Sequence, residues 1–180
     1  MFGGSACRSQ NTFRPFISFT ILSLINFVNM KNRLSYFLVV LFSMFLGSQI
    51  TEAFLLVPYW QSLSAPEFYS YYLRFGPSIG IYYTILTIMA LLIPLGLSVF
   101  YFLSKSSALR YSLLSALFAI LFVACFYVYF KGTNELFYQS AFSESELKSE
   151  LLIWSNWHWT RIGLEALSLL FLIYAVAKED

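Results

Sequence analysis

The chain has 180 residues, 59 % of them hydrophobic and only 11 % charged, with a formal net charge of +2. So few charges cannot cover a water-soluble core of this size, and no basic stripe is present to hold a nucleic acid. Two cysteines, Cys7 and Cys125, and a single histidine exclude a disulfide framework and any recognisable zinc-ligand spacing, so no metal site or cofactor is expected.

Residues 1–33 form an N-terminal segment distinct from the rest of the chain. Its apolar run, 16–28, is short for a span and is preceded by Arg8 and Arg14, the pattern of a signal h-region or an interfacial helix. Met30-Lys31-Asn32-Arg33 reads equally well as a natural start, which would leave the preceding residues as an upstream extension. The domain proper, 34–180, contains four stretches of the length that a bilayer requires: about 34–57, 79–103, 108–130 and 159–177. None alternates at period two, so a membrane barrel is excluded and the expected fold is all-α, an integral membrane four-helix bundle.

The first stretch carries Gly47-Ser48, Gln49 and Glu52 before Pro58 and Tyr59, and the proline is the expected end of that helix. Pro94 and Gly96 predict a kink in the second, and Ser112, Ser115, Ala116 and Ala119 give the third a small-residue face for close packing. Asn134 follows the third stretch and could cap it. The acidic run 144–150 reads as a short solvated helix leading into the fourth. Lys31, Arg33, Lys105, Arg110 and Lys178 fall on one side of the four spans, and most acidic residues fall in the two longer connections. The positive-inside rule then puts both termini in the cytoplasm, and the compact loops fit a bacterial inner membrane.

The fourth stretch opens with Trp154, Trp157, His158, Trp159, Arg161 and Glu165. On a helix, Trp154, His158, Arg161 and Glu165 recur at i, i+4, i+7 and i+11, along one face. Counting about 1.5 Å per residue from Pro58 and from His158 brings Glu52 and Glu165 to one level in the outer half of the bundle. Charged side chains at such depth turn inward, toward one another or a cavity. Arg161 can pair with either carboxylate but cannot neutralise both, which leaves a candidate proton donor or acceptor. The plainer readings are that Glu165 and Arg161 form a structural clamp, that His158 is solvated at headgroup level, and that the tryptophans anchor the interface.

Pro58 after the first span, Asn134 after the third, and Asn156-Trp157-His158 with Arg161 at the entry to the fourth resemble the four-helix membrane family of unknown function that includes the anthrone oxygenases. The resemblance covers about residue 34 to the C-terminus. The chain departs from that family at Pro58-Tyr59-Trp60, at Gly132-Thr133-Asn134 and at Ile162. What the resemblance implies is a cofactor-independent oxygenase acting on a lipophilic aromatic compound. His158 or Glu52 would be the catalytic base, Asn134 and Arg161 would hold the oxyanion, and Trp157 and Glu165 would contact the substrate. The alternative from a different class is a non-enzymatic envelope scaffold or partner subunit whose buried charges are structural. In either case membrane lipids are the expected surroundings, and a homo-oligomer is the expected assembly if partners are required.

Overall fold

The computed structural model describes the backbone of residues 14–179 and the side chains from residue 33 onward. Every element among them is helical. Helix α1 (Arg14–Thr51) runs without interruption into a π-helical turn (Glu52–Leu56) and then into α2 (Val57–Ser62). Helix α3 (Ala65–Leu103) follows, then α4 (Leu109–Cys125), a second π-helical turn (Phe126–Phe130), α5 (Lys131–Tyr138) and α6 (Glu144–Glu179). The short N-terminal apolar run, 16–28, lies within α1, and its side chains fall outside the described residues.

Four continuous rods result: 33–62, 65–103, 109–138 and 144–179. Each is long and apolar enough to cross a membrane, and protein covers at most 39 % of the most apolar stretch of any of them. The rest of that apolar surface faces outward, which fits a bundle made to be wrapped by lipid.

The rods are longer than the sequence reading expects, for identifiable reasons. Pro58 does not end the first helix. It has no N–H to return to the preceding turn, and the helix widens just before it, where the Val57 N–H bonds the Glu52 carbonyl five residues back. The second rod begins at Ala65 because Ser64 and Glu67 form a capping box, with the Ser64 main-chain N–H donating to the Glu67 carboxylate at 2.9 Å. Ser143 and Glu146 start α6 in the same way. Asn134 is no cap, since the third rod continues past it to Tyr138. At about 1.5 Å per residue the 39-residue α3 spans roughly 58 Å, close to twice a bilayer's hydrocarbon thickness. In a bilayer of that thickness one end of such a bundle would stand clear of the apolar zone.

That end is packed with aromatic rings. Trp60, Phe68, Tyr72, Phe130, Phe137 and Trp154 form one buried cluster, with Trp60 and Trp154 edge to face at 5.3 Å. Gly76 lets α3 close on α5, because a Cβ there would fall 2.9 Å from the Tyr138 hydroxyl. The opposite end is held by a separate cluster around Phe42, Phe45, Tyr101, Phe122 and Leu172. There Ser106, in the α3–α4 connection, hydrogen-bonds Glu179 near the end of α6. Between the two clusters lies a polar column.

Candidate functional site

Helix α6 buries one face along its length, and in its middle third most of the buried side chains are polar, Ile162 being the apolar one among them. Trp154, His158, Arg161, Glu165 and Ser168 all face the interior. Their exposures of 0 % for His158, 8 % for Arg161 and 1 % for Glu165 are those of core residues. The first rod answers with Gln49 of α1 and Glu52 of the π-helical turn, themselves 0 % and 6 % exposed.

His158 is the joint between the two helices. Its Nε2 donates to the Gln49 main-chain carbonyl at 3.0 Å and stands 3.7 Å from a Glu52 carboxylate oxygen. Its ring lies against Trp154, with centroids 5.0 Å apart and planes 22° apart. Glu52 is therefore level with His158, whereas Glu165 sits two turns, roughly 10 Å, farther along α6. The helix continues past Pro58, so counting from that proline misjudges the depth.

Arg161 occupies the interval between the carboxylates. Its guanidinium carbon is 4.7 Å from the Phe122 ring centre and 4.6 Å from that of Phe130, a sandwich between two aromatic faces. It lies within electrostatic reach of both Glu52 and Glu165. Its Nε has no hydrogen-bond partner, nor do the two Glu165 oxygens, the Gln49 amide or His158 Nδ1. Below Glu165 the column ends in a closed pair, Ser115 and Ser168, which exchange hydroxyl-to-carbonyl hydrogen bonds of 2.8 and 2.9 Å between α4 and α6.

Of the remaining candidates, Trp157 is half-buried and stacks on Tyr129, at 5.3 Å and 8°. Trp159 lies on the outer surface against Phe54. The Asn134 carboxamide oxygen accepts from Trp154 Nε1 at 3.2 Å, which ties it to the aromatic end. The fold thus gathers Glu52, His158, Arg161 and Glu165 into one column, while Asn134 and Trp157 support its rim. The described residues contain no group of three or more His, Cys, Asp or Glu side chains able to hold a metal ion.

Of the charged column residues, Glu52 is the one at the flank groove. It forms part of the wall of a groove of about 550 Å³ between α1 and α3, on the flank of the bundle. Ser48, Thr51, Tyr82 and Tyr83 give the groove further polar groups, and Met44, Leu55 and Leu56 give it an apolar side. The Ser48 hydroxyl lies 3.3 Å from that of Tyr82 and 3.4 Å from that of Tyr83, which joins the two helices. The Tyr83 hydroxyl also turns toward the Glu52 carboxylate. Sequence reasoning takes Ser48 only as a packing residue and passes over both tyrosines, which in a chain with thirteen of them look like lipid-facing surface. The available signal is the i, i+4 spacing of Ser48 and Glu52, which puts both on one face of α1.

Comparisons with protein-family models, curated proteins and solved structures find no match for this chain.

The chemistry open to the site therefore follows from the geometry alone. A carboxylate at the foot of a flank groove, backed by an imidazole at 3.7 Å, can accept a hydrogen bond or a proton from a molecule in the groove, or pair with its positive charge.

Proposed function

We propose that this chain is an integral membrane four-helix bundle that binds a lipophilic small molecule in the groove between α1 and α3, with Glu52 as the polar group the ligand meets. One observation carries the reading: a carboxylate that is otherwise interior opens onto a groove whose volume suits a small organic molecule and whose mouth faces where lipid would lie. Arg33, Lys105, Arg110 and Lys178 gather at the end opposite the aromatic cluster. In a bacterial inner membrane that end and both termini would face the cytoplasm.

The likeness to the anthrone-oxygenase family adds a reaction to this binding role, with Glu52 or His158 as base and Arg161 and Asn134 as oxyanion holders. Neither Arg161 nor Asn134 lines the groove, so the geometry favours binding over that oxygenation. Oxygen uptake on an anthrone-like phenol, abolished by the double substitution His158→Ala and Glu52→Gln, would restore the enzymatic reading.

Energy transfer from the protein's tryptophans to N-phenylnaphthylamine, a neutral lipophilic fluorophore, tests the binding role in detergent solution. The expected result is a saturable signal that weakens at least fivefold in Ser48→Phe, which fills the groove, and is unchanged in Leu170→Phe on the exposed face of α6. Transfer that never saturates, or that Ser48→Phe leaves intact, would instead favour a scaffold whose buried charges only hold helices together.

A further inference from the structure

We propose that the preferred occupant of the groove is a lipophilic organic cation, with an ammonium or phosphonium centre seated against Glu52 and the rings of Tyr82 and Tyr83. The inference rests on the groove being a ligand site and adds the charge class of the ligand.

Three observations lead to it. Among the described residues the groove wall carries one acidic side chain, Glu52, and no basic one. The column also divides one guanidinium between two carboxyl groups. Two carboxylates, Glu52 and Glu165, share a single arginine, which is itself held between Phe122 and Phe130. A cation in the groove gives Glu52 an opposite charge that it does not share with Glu165. Finally, Tyr82 and Tyr83 form an aromatic corner, with ring centres 5.2 Å apart and planes at 73°, alongside that carboxylate. Two aromatic rings beside an acid are an arrangement that attracts a cation too weakly hydrated to stay in water. Met44, Leu55 and Leu56 offer apolar contact to its hydrocarbon arms. An anionic ligand would meet Glu52 with like charge, and a neutral one would offer it no opposite charge.

Equilibrium binding of radiolabelled tetraphenylphosphonium to the purified full chain in detergent tests this, with neutral triphenylphosphine oxide as the uncharged comparison. Expected is saturable phosphonium binding at least tenfold tighter than that of the oxide. Glu52→Gln should weaken it tenfold or more, Glu52→Asp threefold or less, and oxide binding should stay unchanged in both. Tyr82→Leu, at an exposed position, should weaken phosphonium binding three- to tenfold, and it stands as the test should Glu52→Gln fail to fold. If the oxide binds and the phosphonium does not, or if Glu52→Gln leaves both affinities alike, the cation assignment falls and the groove survives as a neutral-lipophile site. If neither compound binds the unaltered chain, both readings fall.

Discussion

Replacing Arg161 by methionine removes the only positive charge between two buried carboxylates, and the cost can be worked from its surroundings. The guanidinium stacks on Phe122 and Phe130 at 4.7 and 4.6 Å, and each cation–π contact contributes about 0.5–2 kcal/mol at a desolvated site. Removing one partner of a buried charge arrangement typically costs about 3–5 kcal/mol, because the remaining charge is left without compensation. The predicted order of destabilisation is therefore about 1–2 kcal/mol for Arg161→Lys, which keeps the charge but loses the planar stack, and about 3–5 kcal/mol for Arg161→Met. The double variant Arg161→Met with Glu165→Gln should recover about 1–3 kcal/mol of that loss, since one of the two carboxyl groups left without the arginine is gone. Reversible unfolding of the detergent-solubilised protein in increasing sodium dodecyl sulfate, followed by near-UV circular dichroism, reads all three variants. Equal destabilisation by lysine and methionine, or strict additivity in the double variant, would refute the claim that Arg161 acts as the column's counter-charge.

The Ser115–Ser168 pair should show a double-mutant coupling of about 0.6 kcal/mol in the same unfolding assay, the usual size for hydrogen bonds between membrane helices; additive single losses would contradict it. Gly76→Val should destabilise by about 1–3 kcal/mol through overpacking, and Tyr138→Ala in the same chain should relieve most of it, because the first new atom meets the tyrosine hydroxyl. His158→Phe keeps a ring against Trp154 but loses the donor to the Gln49 carbonyl, so it should cost about 1 kcal/mol; a loss near that of Arg161→Met would mean that His158 carries charge compensation as well. Single cysteines introduced at Lys105 and at Ser140 should react with a membrane-impermeant maleimide from opposite sides of sealed vesicles, and labelling of both from one side would contradict the four-span arrangement.

The amino-acid order reveals the rods and the polar face better than it reveals where the rods end. Four apolar stretches of bilayer length are visible by counting, and the i, i+4, i+7, i+11 recurrence of Trp154, His158, Arg161 and Glu165 locates the buried face of α6 without reference to any neighbour. The boundaries are hidden because Pro58 is a local stop signal that a π-helical turn overrides. Such a turn depends on packing between helices, including the one that brings His158 to Gln49. Missing the true end of the first rod puts Glu52 level with Glu165 instead of His158. In the connections 58–78 and 131–157 the sequence marks only the acidic run 144–150 as helical, yet both are largely helical, with capping boxes at Ser64 and Ser143 and aromatic contacts between distant parts of the chain. The groove is the least legible feature. Its walls come from α1 and α3, whose Ser48 and Tyr83 are 35 residues apart, and nothing in either segment alone marks the tyrosines as facing a carboxylate.

Native mass spectrometry of the protein released directly from membranes tests the central claim, that Glu52 opens onto a ligand groove. A bound small molecule should be retained by the unaltered chain and by Leu170→Phe, and lost from Ser48→Phe. An identical adduct on all three proteins, or none on any, would contradict it.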